Sequence, residues 1–147
     1  SPDIVHARNG IGETALFFLA VGNDLAAVEW LGRKGAAVDT VDICGATPLM
    51  HAASLGYLEM CRYLVDHGAN PGHVAPRRGG NNSAFSEAAY HEHVEVLNYL
   101  LSLLPEDEDI NRYFGNVQAE MILKHKSGIA AIRMRRGLKK RWFDAGV

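Results

Sequence analysis

The residues best suited to chemistry are a histidine-rich tripeptide, two cysteines and a glycine pair. His91 and His93 flank Glu92, and imidazole nitrogens with a carboxylate are ligands that zinc accepts in proteins. Of the two cysteines, Cys61 aligns with apolar positions of the other repeats and is predicted to be a core residue, whereas Cys44 lies in a turn, where an ordinary loop residue is preferred to an exposed thiol. They lack the paired spacing of a structural zinc site and are too few for a disulfide framework.

None of these features predicts catalysis. Gly79 and Gly80 follow two arginines, but neither a preceding strand nor a following helix has the spacing of a phosphate-binding loop, so a flexible loop is preferred. The histidine tripeptide falls between two predicted helices, where an exposed turn is the simpler interpretation. The sequence contains no nucleophile elbow and no His-Glu-x-x-His motif. We therefore expect a protein that is not an enzyme and takes no cofactor, metal or small-molecule substrate.

Length and composition predict one ordinary soluble domain. The chain has 147 residues, of which 48% are hydrophobic and 22% charged, a profile typical of packed proteins and not of disorder. No apolar run approaches the roughly 20 residues that a membrane helix requires. With two cysteines only, we expect a cytoplasmic, reducing environment and no contact with a membrane.

Charge is distributed unevenly along the chain. Residues 124–147 contain eight lysines and arginines and one acidic residue, a net charge of +7. Because the whole chain carries -2, the preceding residues carry -9. This division predicts a separate C-terminal element whose surface differs from that of the body.

An internal repeat determines the predicted architecture. Gly12-Glu13-Thr14-Ala15-Leu16 recurs 33 positions later as Gly45-Ala46-Thr47-Pro48-Leu49, and the same offset joins other apolar and turn positions. A third copy follows at an offset of 36, which indicates three residues inserted in a loop. The equivalent positions include Leu25, Leu58 and Val94, and also Val28, Cys61 and Leu97. Stacked structural units require this persistence of apolar and turn residues.

Each unit reads as two helices. Thr47 is suited to capping a helix that begins at Pro48 and runs to about Leu55. Gly56 allows the chain to turn back into a second helix, which ends at Gly68. The alanine pair at 52–53 lets neighbouring helices approach closely. We therefore predict consecutive helical pairs packed as layers.

These residues resemble the ankyrin repeat family. Residues 47–53, Thr-Pro-Leu-Met-His-Ala-Ala, with Gly-Tyr-Leu-Glu at 56–59 and Gly-Ala-Asn at 68–70, are similar to a nearly complete ankyrin signature. The third copy is degenerate, with Ser83 and Ala84 in place of threonine and proline. Met50 takes the place of the family's usual histidine, and His51 follows it. The resemblance implies an all-α, ankyrin-type helical-repeat solenoid that binds partner proteins.

The predicted organisation has two parts. Residues 1–104 form the repeats, with the tail of a preceding repeat at 1–8 and units at about 9–41, 42–74 and 75–104. Residues 105–147 form an acidic linker and a basic helical cap, with helices expected over 116–126 and 129–143. Without a preceding layer, a face carrying some of residues 16–19 would be open to water, which suggests a truncated chain or a homodimer contact there.

The resemblance implies that partners bind a concave groove formed by the first helices and the turn tips. The predicted partner-binding residues are Phe18, Val21, Ile43, His51, Ser54, Leu55, Arg77, Arg78, Glu87, Tyr90 and His91. Further tip positions are Thr40, Val41, Cys44, His73, Asn81 and Asn82, and Gly22 is a further exposed helix position. Phe18 could equally turn inward. Exposed aromatic and aliphatic side chains near a groove centre are the usual anchors of an interface.

The basic C-terminal helix offers an alternative binding surface. Its basic residues are Arg133, Arg135, Arg136, Lys139, Lys140 and Arg141. They could form a solvated outer face, dock an acidic protein or bind nucleic acid. The acidic body would repel a long polyanion, which makes nucleic acid the least favoured of the three.

Overall fold

Most of the chain that the structure describes is helical. The computed structural model describes residues 3–77 and 80–114, in which seven α-helices occur. They are α1 (Asp3–His6), α2 (Ala15–Val21), α3 (Leu25–Arg33), α4 (Pro48–Leu55), α5 (Leu58–Asp66), α6 (Ala84–Tyr90) and α7 (Val94–Ser102). A 3₁₀ helix follows at Ile110–Tyr113. No helix within these ranges has the length and apolar character needed to cross a bilayer.

The helices occur as pairs with the predicted spacing. The second helix of each pair has nine residues and begins at Leu25, Leu58 or Val94. These starting positions are the ones that the offsets of 33 and 36 make equivalent. The helical-pair prediction is therefore confirmed for all three units.

The first helix of each pair starts at a hydroxyl cap. Oγ1 of Thr14 accepts a hydrogen bond from Phe17 N–H, and Oγ1 of Thr47 accepts one from Met50 N–H, each at 3.2 Å. Ser83 takes this role in the third unit, where its hydroxyl accepts from Ser86 N–H. Capping satisfies N–H groups that have no partner within the helix, so the degenerate third repeat still begins its helix in the same way.

A left-handed residue reverses the chain between the two helices of each pair. It is Asn23 in the first unit (φ 57°), Gly56 in the second (φ 77°) and Glu92 in the third (φ 63°). Glycine reaches this conformation without a Cβ penalty, as predicted for Gly56. The same backbone shape is therefore built from three different residues.

The core runs continuously through the three pairs. Helix α4 contacts α2 on one side and α6 on the other, while α5 contacts α7. Leu16, Leu49 and Phe85 are fully buried at equivalent positions of the first helices. Ala52 and Ala53 are also fully buried, which allows the close approach of helices that their small size predicts.

The N-terminal pair is covered more fully than expected. Helix α1 contacts α2, and Leu16 and Phe17 are fully buried. Leu19 is half-buried, whereas Phe18 is 69% exposed. The inward alternative for Phe18 is therefore wrong. A homodimer contact at this face stays a prediction.

A small sheet corrects the all-α assignment. Strands β1 (Val74–Arg77) and β2 (Gly80–Ser83) form an antiparallel pair in which Val74 lies opposite Ser83 and Arg77 opposite Gly80. The sequence predicts only a flexible, lengthened loop at this place. The three inserted residues lengthen the connection enough for its two sides to pair before α6 begins at Ala84. The fold is therefore mostly helical with one two-stranded sheet.

The segment after the acidic run packs on the third pair. Ile110, Tyr113 and Phe114 are buried, and the Tyr113 ring stacks on Phe85 with centroids 4.7 Å apart. The Ser83 hydroxyl donates a hydrogen bond to the carbonyl oxygen of Tyr113 at 2.6 Å. The helices expected over 116–126 and 129–143 lie outside the described residues.

Candidate functional site

Two first helices and the segments that precede them enclose a groove. Its volume is about 870 Å³. Helix α4 of the second repeat and helix α6 of the third repeat both contribute lining residues. The lining residues are Asp42, Ile43, Cys44, Ala46, Met50, His51, Ser54, Ala75, Pro76, Asn82, Ser86, Glu87, Tyr90 and His91. Six predicted partner-binding residues are among them: Ile43, His51, Ser54, Glu87, Tyr90 and His91.

The turn tip at residues 42–46 forms one wall of the groove. Oδ1 of Asp42 accepts hydrogen bonds from the N–H groups of Cys44 (2.8 Å) and Ala46 (3.0 Å), which fixes the turn. In the preceding turn, Oδ1 of Asn9 bonds two N–H groups in the same way. Ile43 projects from this tip and is 74% exposed. The tip therefore presents an aliphatic side chain on a rigid backbone.

His51 and Asp42 form the first polar pair of the groove. Nε2 of His51 lies 3.5 Å from Oδ2 of Asp42, a contact that becomes an ion pair when the imidazole is protonated. This nitrogen is buried and makes no hydrogen bond, and the imidazole ring contacts Phe17 edge-on with centroids 5.2 Å apart. The His51 ring is thus held by packing rather than by hydrogen bonds from its Nε2.

Glu87 is the centre of the second polar cluster. The Asn82 side-chain amide donates a hydrogen bond to Oε1 of Glu87, and Nε2 of His91 lies 3.5 Å from Oε2. The Ser86 hydroxyl donates to Oδ1 of Asn82 at 2.9 Å. Asn82 therefore joins strand β2 to helix α6 and orients the carboxylate of Glu87.

Apolar and aromatic groups complete the groove. Met50 is buried, while Tyr90 is 54% exposed at the end of α6. The Tyr90 and His91 rings meet edge-on with centroids 5.0 Å apart. An exposed aromatic ring beside carboxylates and a buried apolar side chain can bury a partner's side chain and bond its polar groups.

The other predicted binding residues do not line this groove. Leu55 is exposed at the end of α4, and Phe18 and Val21 lie on α2, exposed and half-buried respectively. Arg77 is the last residue of β1. Arg78 lies outside the described residues, as do Arg133, Arg135, Arg136, Lys139, Lys140 and Arg141.

Three residues expected at exposed turns are either buried or hydrogen-bonded to a distant part of the chain. Thr40 is buried, and its hydroxyl has no hydrogen-bond partner. Nε2–H of His73 donates to the carbonyl of Gly45 at 2.8 Å, and Nε2–H of His93 donates to that of Ser54 at 3.0 Å. Within residues 3–77 and 80–114, no three His, Cys, Asp or Glu side chains are grouped to hold a metal ion.

Asp42, Met50 and Ser86 line the groove although they are not among the binding residues predicted from the sequence. Met50 and Ser86 occupy equivalent positions next to the predicted exposed residues His51 and Glu87, and the structure buries both. The only available signal for Asp42 was its equivalence to Asn9 in the repeat.

The two thiols differ in environment. Cys44 is exposed and lines the groove, whereas Cys61 is fully buried in α5, as its alignment with Val28 and Leu97 predicts. Burial raises the pKa of the Cys61 thiol from 9.0 to about 12. Cys61 is therefore a core residue and Cys44 the reactive one of the pair.

Comparison with known proteins decides the family. The family model described as ankyrin repeats (3 copies) matches residues 16–113, about two thirds of the chain. The chain belongs to the ankyrin repeat family. Ankyrin repeats are generally protein–protein interaction modules, and they are typically not enzymes.

A curated relative is also similar to part of this chain. The chain is 42% identical to the Tonsoku-like protein of Bos taurus over 62 residues, which are 42% of this chain and 4% of that protein. The chain thus spans a small part of the relative's length. The ankyrin match covers the three helical pairs from the second residue of α2 onward, and the 3₁₀ helix at 110–113.

Proposed function

We propose that the protein is a non-enzymatic interaction module that binds a protein partner in the groove and at the neighbouring turn tips. The observation that carries this proposal is that one groove gathers Ile43, His51, Ser54, Glu87, Tyr90 and His91 from two consecutive repeats. Membership of the ankyrin repeat family supports the same function.

Rigid presentation is the proposed mechanism. Asp42 holds the turn tip through two backbone N–H groups, and Asn82 orients the Glu87 carboxylate. Side chains that are already ordered lose little conformational entropy on binding, so more of the contact energy appears as affinity. Exposed Leu55 and Phe18 extend the proposed contact surface beyond the groove along the first helices.

The proposed organisation is a solenoid of three repeats, at about 9–41, 42–74 and 75–104. Residues 105–147 follow as an acidic linker and a basic helical cap. The ordered contacts of α4 with α2 and α6 support the stacking, and the packing of residues 110–114 on α6 supports a cap. An exposed free thiol at Cys44 supports a reducing, cytoplasmic location.

Two exposed aromatic residues provide a matched test of the groove. Tyr90 lines the groove and Trp30 lies on α3 away from it, and each is 54% exposed. For a partner captured with the full chain and then purified, Tyr90→Ala should weaken binding by about 2 kcal/mol, roughly 30-fold, as expected of an aromatic anchor. Trp30→Ala should leave the affinity within about twofold. Equal effects of the two variants would contradict groove binding.

The charge of the C-terminal segment favours a second candidate function. Residues 124–147 carry +7, so the basic helix could bind a nucleic acid or an acidic partner. Replacing Arg135, Arg136, Lys139 and Lys140 by alanine should then abolish binding and flatten a steep dependence on salt. Binding at the groove and at the adjoining surface of the first helices predicts instead that Tyr90→Ala and Leu55→Ala weaken binding by factors that change little with salt.

A further inference from the structure

The groove carries two carboxylates that are largely shielded from water. The side chain of Asp42 is 13% exposed and that of Glu87 is 15% exposed. They come from successive repeats, one in the turn before α4 and one within α6. Partly buried charges interact with an opposite charge more strongly than exposed ones, because water screens them less.

The same chain contains a segment of opposite charge. Residues 124–147 carry +7 against -9 in residues 1–123. In the helix predicted over 129–143, Ala131, Met134, Leu138 and Trp142 share one face, and most basic residues lie on the other. A helix of this kind offers both cations for carboxylates and apolar groups for Ile43 and Tyr90.

The described chain stops close to the groove. Tyr113 accepts a hydrogen bond from Ser83, the neighbour of the groove residue Asn82, and Phe114 packs on Phe85 of α6. Fourteen residues, 115–128, separate Phe114 from Ile129. Fully extended they could span about 45–50 Å, and an eleven-residue helix over 116–126 would still cover about 16 Å. Chain length therefore permits the basic segment to reach Asp42 and Glu87.

We propose that residues 129–143 of the same chain occupy the groove when no partner is bound, with their basic side chains paired to Asp42 and Glu87. The basic part of the cap is then an internal ligand, and a partner must displace it. This inference rests on the proposed function of the groove as the binding surface. It adds a regulated state in which the protein is closed to its partner.

A spin label on Cys44 tests this occupancy in the full chain. Cys44 is exposed in the groove, and Cys61 is buried with a raised pKa, so a thiol-reactive label attaches at one place. In an isotope-labelled chain, the label should cause loss of amide signals from residues 129–143, and reducing the label should restore them. Raising the salt from about 0.1 M to 1 M should also restore them, because the Debye length falls from about 10 Å to 3 Å.

A charge-neutral variant separates specific docking from random encounter. In Asp42→Asn the side-chain oxygen can still accept the bonds from Cys44 and Ala46, as the equivalent Asn9 does in its own turn. In Glu87→Gln the amide oxygen can still accept the bond from Asn82. This variant should recover the signals of 129–143. The matched control, Glu59→Gln with Glu95→Gln, removes two exposed charges from α5 and α7 and should leave the signal loss unchanged.

Three outcomes would overturn the inference. The first is that the spin-labelled chain shows no loss of signals from residues 129–143. The second is that the signals are lost equally in both double variants. The third is that signal loss arises only between molecules, when spin-labelled chains are mixed with separate isotope-labelled chains. Each bears on self-occupancy alone. The comparison of Tyr90→Ala with Trp30→Ala tests partner binding separately, so failure of one proposal is distinguishable from failure of the other.

Discussion

The turn at Gly56 gives the sharpest prediction about the contact between the second and third repeats. Gly56 is left-handed, and a Cβ placed on it would lie 2.5 Å from Nδ1 and 2.7 Å from Cε1 of His93. His93 in turn donates from Nε2–H to the carbonyl of Ser54. Gly68 is also left-handed (φ 102°), but a Cβ there would have no neighbour within 4 Å. Gly56→Ala and Gly68→Ala thus both place an alanine at positive φ, and they differ in the steric clash with His93.

The expected magnitudes follow from these two terms. A left-handed alanine costs about 1–2 kcal/mol, and both variants should lose this amount of unfolding free energy. In Gly56→Ala the His93 ring must also move, which costs about 1 kcal/mol for its hydrogen bond and about 1–3 kcal/mol for overpacking. We therefore expect Gly56→Ala to be less stable than Gly68→Ala by at least about 2 kcal/mol.

Urea denaturation followed by far-ultraviolet circular dichroism measures both variants, and a double-mutant cycle with His93→Ala isolates the contact. In the His93→Ala background, Gly56→Ala should cost no more than Gly68→Ala, because the obstructing ring is absent. Equal costs of the two glycine variants in the wild-type background would refute the reasoning. A difference that persists without His93 would also refute it.

Three further predictions concern the thiols and the helix caps. A thiol reagent should modify Cys44 in the folded chain and reach Cys61 only on unfolding, and equal rates for both would contradict the assigned burial. Because the folded pKa of Cys61 is raised from 9.0 to about 12, its contribution to stability is complete below pH 9 and declines as the pH rises towards 12. The difference in unfolding free energy between wild type and Cys61→Ala should therefore shrink over that range, and a constant difference would argue against the shift. Thr47→Ala should cost about 1 kcal/mol in chemical denaturation. Ser83→Ala should cost about 2 kcal/mol, because the Ser83 hydroxyl accepts a hydrogen bond from Ser86 and donates one to Tyr113. If Ser83→Ala and Thr47→Ala cost the same, that double role of Ser83 would be contradicted.

Local patterns were sufficient to predict the helical pairs. Leu25, Leu58 and Val94 begin equivalent helices because the same apolar spacing recurs in each unit. Thr47 and Ser83 cap helices because each hydroxyl accepts a hydrogen bond from an N–H group three residues later. Features of this kind depend on neighbouring residues only, so the sequence contains what is needed to predict them.

Features that depend on distant contacts could not be predicted in the same way. Pro76, Gly80 and Asn82 belong to residue types that are depleted in strands, so nothing local indicates the hairpin. Ile110 and Tyr113 follow an acidic run, and they are buried because this segment packs on the third repeat, where Tyr113 stacks on Phe85.

The candidate site shows the same division. His51 and Glu87 were predicted from their equivalent positions on the first helices. Their partners were not, since Asp42 approaches His51 across a turn and Asn82 reaches Glu87 only once the hairpin has formed. Position along a repeat is a local property, whereas pairing within the groove depends on how the segments pack.

Site-specific crosslinking tests the central claim most directly. A photoreactive amino acid placed at position 90 in the groove, or at position 30 on α3, samples two sites with the same 54% exposure. The groove account predicts that the purified partner crosslinks to position 90 and not to position 30. Crosslinking of the partner at position 30 with none at position 90 would contradict the groove as the binding surface.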